Sequence, residues 1–403
     1  MATAVRRVRA FVPERAPVGA VLVWDGALVL THYGTHGTVA HPVGWRPGSA
    51  TEAARARDAF AARGEPAEWR VYGDDPAELR EAVREAGFVA GPERTVLVAD
   101  PAELPAAAGA VRAAYGRDDL ARVAELAGAA GEQRTPFAEF LADGSAARPD
   151  ARVLVLVEEG RITAAGWAEK PPGTEVAVLC GLTAPRPELV AAWAGWAADR
   201  RRGGAARHVL AEATGPLRAF LERHGLRPAG TVTPYRWDPP GGPAAAERPV
   251  RQLFDDPEHD ALWDAWRERF AFRPSTVAFP GIAEPPDSAT WRLCSDHRDA
   301  VQAAVERALR AAARPDEPLH WLNWQHPGYR FDPSRVGAAG QPPWPGTAWP
   351  DGDYHLHLTT DLRLGTFAHP WERTLCAFGP ALLPHLEPAL TRLLGPPLRR
   401  AGR

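Results

Sequence analysis

Two segments of this 403-residue chain end in the same way, 138 positions apart. In each, a helix-forming stretch stops at a glycine, and an apolar residue and a strand-like run follow. The first ends at Gly87-Phe88 and the second at Gly225-Leu226. Glycine adopts the positive φ of a helix C-terminus without a side-chain penalty. The repetition predicts a duplicated helix–strand unit within residues 1–240.

The first copy begins with an apolar run that is interrupted by a turn. Residues 18–31 predict a β-hairpin with Asp25-Gly26 at its turn, and Asp25 and Gly26 exclude a membrane span here. Thr51 is predicted to be the N-cap of the next helix. The remaining elements are predicted as a helix at 51–63, a strand at 68–72, a helix at 76–86 and a strand at 95–99.

The second copy contains the clearest hairpin signal in the chain. Two apolar runs, 152–157 and 162–168, flank the turn at Glu158-Glu159-Gly160-Arg161. The other predicted strands are 111–115, 174–181, 207–213 and 230–237. Arg117-Asp118-Asp119 precedes a predicted helix that continues through Ala127, and further helices are predicted at 135–141, 187–201 and 216–224.

This order of hairpin, helices, strands and helix–glycine endings resembles the GNAT acetyltransferase superfamily. The resemblance implies a GNAT-like α/β mixed sheet, with an acyltransferase domain at 101–238 and a partial GNAT-like subdomain at 1–100. It also implies that the strands Val176–Gly181 and Arg207–Ala213 are neighbours and that acetyl-CoA lies in a splay beside Val176–Gly181. The pyrophosphate would then rest on the loop Leu182–Glu188, at a helix N-terminus that favours anions.

The same resemblance implies cofactor contacts from Leu179 and Gly181 on the strand and from Thr183, Arg186 and Glu188 in the loop. The family loop follows the pattern Arg-x-x-Gly-x-Gly. This loop has one arginine, two prolines and no glycine, and each proline removes an N–H donor. A simple turn between strand and helix is the alternative reading.

Amine acylation needs a group that removes a proton, because a primary amine is mostly protonated at neutral pH. Glu175, at the start of the splayed strand, is the candidate base; an exposed carboxylate without a catalytic role is the alternative. Family members carry a tyrosine as general acid in the helix before the final glycine, and Leu221 occupies that position. Cys180 is interpreted as a structural strand cysteine.

Composition limits the cellular compartment and the classes of binding partner that are expected. The formal charge of −3 and a pI near 6.5 argue against a general nucleic-acid or membrane-surface binder. Cys180, Cys294 and Cys376 lie far apart, without the spacing of a metal finger or a disulfide framework. The N-terminus lacks a continuous apolar segment. A cytoplasmic protein is therefore expected.

Residues 239–249 are rich in proline and glycine and are predicted to link to a second domain at 250–398. Eight of the 15 tryptophans lie between Trp263 and Trp371. Asp256-Pro257 predicts a helix start, and further helices are predicted at 296–313 and 380–394. The predicted strands are 289–293, 319–324, 354–359, 365–368 and 375–378. This mixture predicts an α+β domain with a mostly antiparallel sheet.

Several motifs in residues 250–396 resemble the uncharacterised bacterial family DUF2716, for which no reaction is known. They include Phe279-Pro-Gly-Ile-Ala-Glu-Pro285, Tyr329-Arg-Phe-Asp-Pro333, Asp351-Gly-Asp-Tyr354 and Gly365-Thr-Phe-Ala-His-Pro-Trp-Glu-Arg373.

Two polar groupings in this domain have alternative interpretations. His355 and His357 share a strand face, near Asp351, Asp353 and His369. This suits either a metal site or structural histidines, on a solvated strand face or packed among aromatic rings. The segment Trp371-Glu372-Arg373 suits a charged pair beside a stacking platform, or a buried ion pair under a tryptophan.

The resemblance therefore implies an N-acyltransferase that transfers an acetyl group from acetyl-CoA to an amine of a small molecule or protein. Neither a nucleic acid nor a membrane is expected as a partner. The alternative is a catalytically inactive GNAT scaffold that binds a ligand or a protein, and the loop at Leu182–Glu188 favours it. The sequence leaves the acceptor, the oligomeric state and the enzymatic status open.

Overall fold

The computed structural model describes residues 5, 6, 8, 16–48, 50–105, 110–130, 137–142, 144, 148–199 and 205–403. The chain forms two compact units, residues 1–248 and 249–403. The finer division at residues 100 and 238 remains a prediction.

The N-terminal unit alternates strands and helices along the chain. Its strands are β1 (Val21–Asp25), β2 (Leu28–His32), β3 (Gly37–Ala40), β4 (Ala67–Tyr72), β5 (Val89–Ala90), β6 (Arg94–Ala99), β7 (Val111–Ala113), β8 (Ala151–Glu158), β9 (Arg161–Glu169), β10 (Val176–Leu182), β11 (His208–Ala213) and β12 (Arg227–Trp237). Its helices are α1 (Ala50–Ala61), α2 (Ala77–Glu85), α3 (Gly116–Gly128), α4 (Phe137–Ala142), α5 (Pro187–Ala198) and α6 (Gly215–Arg223). Since α1 begins at Ala50, the prediction of Thr51 as its N-cap is wrong.

In the described part of this unit, twelve strands form one mixed sheet. The order is β1-β2-β3-β4-β12-β6-β11-β10-β9-β8-β7, with β5 beside β12. Only β3–β4 and β10–β11 pair in parallel among the described strands. The prediction that Val176–Gly181 and Arg207–Ala213 are neighbouring strands is confirmed, because β10 and β11 pair directly.

The two copies are joined by an exchange of their last strands. β6, which follows the helix ending before Gly87, pairs with β11 of the second copy. β12, which follows the helix ending before Gly225, pairs with β4 of the first copy. β6 and β12 pair with each other at the centre, where Thr95 lies opposite Thr231. Outward from the central pair of β6 and β12, the two halves of the sheet therefore have nearly the same arrangement of strands.

A buried ion pair crosses the central strands. Arg70 on β4 contacts Glu212 on β11, although β12 and β6 lie between their strands. The Glu212 side chain is 2% exposed and the Arg70 side chain 21%. Burial alone would lower the pKa of Arg70, but the Glu212 carboxylate more than offsets this and raises it. The pair therefore ties the first copy to the second.

The C-terminal unit is built on a second sheet. Its strands are β13 (Val250–Leu253), β14 (Ser288–Arg292), β15 (Leu319–Asn323), β16 (His326–Phe331), β17 (His355–Thr359), β18 (Gly365–His369), β19 (Thr374–Phe378) and β20 (Arg399–Arg400). Its helices are α7 (Pro257–Phe270), α8 (Arg298–Ala312) and α9 (Leu383–Leu394). Asp256 caps α7 by accepting from the Glu258 N–H at 2.8 Å, as Asp256-Pro257 predicts.

The order of this second sheet is β13-β16-β15-β17-β18-β19-β14-β20, and the described pairs are all antiparallel. The apolar side of α7 packs on it through Leu262, Trp263, Trp266 and Phe270. The predicted architecture, a mixed α/β sheet followed by a mostly antiparallel α+β domain, is confirmed.

Candidate functional site

The pairing of β10 with β11 ends well before either strand ends. Val176, Ala177 and Val178 lie opposite His208, Val209 and Leu210. β10 then continues to Leu182 and β11 to Ala213, with no further pairs between these described strands. An extended ligand that carries amide groups could pair with β10 here, as an added strand does.

β10 also carries a β-bulge at Cys180. Leu179 lies opposite Ala168 on β9, but Gly181 already lies opposite Trp167, so the register shifts by one residue. A Cβ at Gly181 would lie 2.0 Å from the Trp167 ring. Packing against Trp167 therefore requires this glycine, whether or not a cofactor approaches it. Leu179 is buried in the apolar cluster between the sheet and α5.

The loop after β10 has few amides to offer a phosphate. Thr183 donates its N–H to the Ala165 carbonyl at 2.8 Å, and its hydroxyl accepts from the Ala165 N–H at 2.8 Å. The Arg186 N–H bonds to the Ala184 carbonyl, and Pro185 and Pro187 have no N–H. The amides of Ala184 and Glu188 are the remaining donors of this loop.

Arg186 is held by carboxylates. Its guanidinium contacts Glu158 in the β8–β9 turn at 2.5 Å and Glu188 at 3.5 Å. The hydrogen bond to Glu158 raises the pKa of Arg186, and the pKa of Glu158 is lowered by the same bond. The three side chains carry a formal charge of −1, so a phosphate must compete with two carboxylates for Arg186.

Glu175 precedes β10, at the end opposite the loop. At about 3.3 Å per residue it lies roughly 25 Å from Thr183 along the strand. Its carboxylate pairs with Arg207 at 2.9 Å, and its carbonyl accepts the N–H groups of Arg207 and His208. The role of Glu175 as a base remains a prediction, and it requires this ion pair to open.

Neither the position expected for a general acid nor the tyrosine on the last strand offers a reachable hydroxyl. Leu221 is fully buried in the cluster beneath α5 and α6. Tyr235, on the last strand, is 1% exposed and lies in the core of the first copy.

In the first copy, three buried side chains joined by hydrogen bonds fill the place that corresponds to the gap between β10 and β11. The sequence did not suggest this arrangement. β3 and β4 also pair over three residues only, ending at Val39 and Trp69. Beyond that point the Trp69 indole N–H donates to His41 Nδ1 at 3.1 Å, and His41 Nε2 lies 3.0 Å from Asp75 Oδ2. All three side chains are buried. Buried side chains therefore occupy this place in the first copy.

The paired histidines of the C-terminal unit are packed among aromatic rings, one of their two predicted interpretations. His357 accepts from the Trp344 indole N–H at 3.2 Å, and burial lowers its pKa to about 3. The His355 ring lies 5.0 Å from the Trp321 ring. In the described part of the chain, no three His, Cys, Asp or Glu side chains form a group suited to a metal ion.

The predicted pairing of Glu372 with its neighbour Arg373 is wrong. Glu372 instead contacts Arg399 on β20 at 2.5 Å, and Arg399 also contacts Glu284 at 2.8 Å. Arg373 follows Glu372 at a φ of +56°, which turns the chain. Trp371 is 40% exposed and packs against Tyr354 and His369.

The two units are similar to different known proteins. Residues 253–383 match a family model described as a protein of unknown function (DUF2716), as predicted. Uncharacterized protein YxiI of Bacillus subtilis (strain 168) is 23% identical over 144 residues, which are 32% of this chain and 88% of that protein.

The N-terminal part is similar in fold to GCN5-related N-acetyltransferases. One from Kribbella flavida is 21% identical, with a TM-score of 0.42, covering 60% of this chain and 95% of that one. A tandem GNAT protein from the clavulanic acid biosynthesis pathway is 16% identical, with a TM-score of 0.39, covering 60% and 89%. None of the helices in the described residues is both long and apolar enough to cross a membrane.

Proposed function

We propose that the N-terminal unit transfers an acetyl group from acetyl-CoA to an amine. The donor lies between β10 and β11, and the acceptor is an amine of a small molecule or a protein. The early end of the β10–β11 pairing carries this proposal, because it interrupts the ladder inside the sheet. Backbone N–H and C=O groups inside a protein need partners, and the amides of a pantetheine arm supply them.

In the proposed reaction the amine nitrogen attacks the thioester carbonyl, a new C–N bond forms, and the C–S bond breaks to release CoA. Deprotonating the amine at neutral pH costs about 4–5 kcal/mol, so a base is required. Glu175 is proposed for this role, through water, once its pair with Arg207 opens. CoA leaves as the thiol after the proton released by the amine reaches its sulfur.

The phosphate end of the donor is proposed to bind Arg186 in competition with Glu158 and Glu188. Leu179 and Gly181 supply strand backbone to the pantetheine. The hydroxyl of Thr183 fixes the loop, and the Glu188 amide lies in the first turn of α5. The phosphate is therefore proposed to contact mainly the guanidinium of Arg186 rather than backbone amides.

Two substitutions are expected to change the affinity for acetyl-CoA in opposite directions. Arg186→Ala removes the charge-assisted contact to phosphate and is expected to weaken binding about tenfold to a hundredfold. Glu158→Gln frees Arg186 from its closest carboxylate and is expected to strengthen binding. Isothermal titration of the full chain with acetyl-CoA measures both.

Arg161→Ala is the matched control, since Arg161 lies in the same β8–β9 turn without an ion pair to Glu158. It is expected to change the affinity far less than Arg186→Ala. Equal affinities of the Arg186→Ala variant and the wild-type protein would rule out Arg186 as the phosphate contact.

A non-catalytic binding scaffold is the second candidate function. The capture of Arg186 by two carboxylates, in a loop with two prolines, favours it. This candidate predicts no acetyl-CoA binding by the wild-type protein or by Glu158→Gln. Binding by the Glu158→Gln variant alone would indicate a CoA site that has lost its function.

A further inference from the structure

Polar and aromatic side chains gather at one end of the C-terminal sheet. β15 ends at Asn323 and β18 at His369, while β16 begins at His326 and β17 at His355. Antiparallel neighbours bring these four positions to the same end of the sheet. The matched family motifs around Phe279, Asp351 and His369 meet at this end.

His369 lies at the centre of this end with an unused hydrogen-bond donor. The residue is fully buried, and its Nδ1 accepts from the Glu372 N–H at 3.1 Å. That bond places the ring proton on Nε2. Within the described residues, Nε2 has no hydrogen-bond partner. A buried donor without a partner destabilises the fold, so it calls for an explanation.

Aromatic rings surround this donor, and two of them face solvent. The His369 ring centroid lies 5.1 Å from that of Phe279, 4.9 Å from that of Tyr354 and 6.0 Å from that of Trp371. Phe279 is 47% exposed and Trp371 40% exposed. The cover over His369 is therefore thin and apolar on its outer side.

Gly281 leaves space next to the donor. A Cβ built at Gly281 would lie 3.4 Å from His369 Nε2 and 3.4 Å from the Arg273 carbonyl. Its φ of +78° also disfavours other residues. A side chain at this position would pack directly against Nε2.

The loop that carries Phe279 is fixed at its base. The Arg273 N–H donates to the Gly281 carbonyl at 2.8 Å, and the Ser275 N–H donates to the Tyr354 hydroxyl at 2.8 Å. Its tip exposes Val277 to 84%. The base of the loop is therefore tied to the core, while its apolar tip faces solvent.

The surrounding charges favour an uncharged ligand. Burial lowers the pKa of His369, so the ring is neutral at pH 7. The nearby charged group consists of Glu372, Glu284 and Arg399, with a formal charge of −1. The net negative charge of this group disfavours an anion, and a cation would face the N–H of His369.

We propose that this end of the C-terminal unit binds an uncharged, planar heteroaromatic ring with a hydrogen-bond acceptor. The acceptor takes the Nε2–H of His369. The ring stacks on Trp371 and displaces Phe279 outward. This assignment concerns residues 249–403 alone and does not depend on acyl transfer by the N-terminal unit.

Ligand-observed saturation-transfer NMR on the full chain tests this proposal with nicotinamide, uracil and adenine. Toluene is the matched probe without an acceptor. At least one of the three is expected to bind saturably, and about tenfold or more tighter than toluene. Binding is expected to fall about tenfold or more in Trp371→Ala and in His369→Phe, and to recover largely in His369→Gln, which restores a side-chain N–H.

Circular dichroism establishes that each variant is folded. Trp371 is partly exposed, so Trp371→Ala provides a test even where His369→Phe fails to fold. The proposal is overturned by the absence of binding of all three probes to the wild-type protein. It is equally overturned when Trp371→Ala binds as tightly as wild type.

Discussion

Replacing Glu212 with alanine is expected to lower the free energy of unfolding of the N-terminal unit by about 3–5 kcal/mol. The substitution leaves the Arg70 guanidinium largely buried without its carboxylate, in the middle of the sheet. The cost arises mostly from this unpaired charge. Urea unfolding of the full chain, followed by tryptophan fluorescence, measures the loss.

Two controls separate the charge effect from lost packing. Asp25→Ala breaks a much more exposed ion pair with Arg55 and is expected to cost far less. The double variant Arg70→Met with Glu212→Leu removes both charges and is expected to regain most of the stability. A loss in Glu212→Ala no larger than in Asp25→Ala would show that the pair does not join the two copies.

Trp69→Ala is expected to destabilise the same unit by about 3–5 kcal/mol, because it removes a fully buried indole. It also takes the donor away from His41 Nδ1 and so interrupts the chain to Asp75. Urea unfolding again provides the measurement.

Trp69→Phe keeps most of the ring volume but lacks the indole N–H, and is expected to cost clearly less than alanine. If the phenylalanine and alanine variants were equally unstable, the hydrogen bond rather than the packing would dominate. A loss below about 1 kcal/mol in Trp69→Ala would contradict the view that this side chain seals the gap between β3 and β4.

Local signals predicted most helices and strands of the N-terminal unit. Glycine endings at Gly87 and Gly225 and the turn at Glu158–Arg161 each reflect a local backbone requirement. They predicted the duplication, whereas the resemblance to the GNAT superfamily implied that β10 and β11 are neighbours. The local signals did not predict the exchange of β6 and β12, because the sequence of an apolar strand does not determine which of two similar copies the strand joins.

The missed strands lack a clear apolar alternation. β3 has four residues and begins with glycine, and β16 contains Pro327 and Gly328, which argue against a strand. β13, beside β16, has only Val250 and Leu253 as apolar residues. These segments form strands because they pair with neighbouring strands.

The sequence predicted where the candidate site residues lie along the chain but not which side chains they contact. Arg186 and its loop could be located along the chain, but Glu158 lies 28 residues earlier in another turn. Likewise, the Arg399 partner of Glu372 comes from a two-residue strand near the C-terminus. Long-range ion pairs depend on the completed fold, so a sequence alone rarely predicts them.

Hydrogen exchange of the full chain with and without acetyl-CoA tests most directly whether the donor lies between β10 and β11. Slower exchange is expected at the backbone amides of Leu179–Leu182, where β10 lacks pairs with β11. The corresponding amides of Ala40 and His41 in the sealed first copy are the internal control and are expected to stay unchanged. Binding of acetyl-CoA without protection of Leu179–Leu182, or no binding at all, would contradict the proposed acyltransferase site.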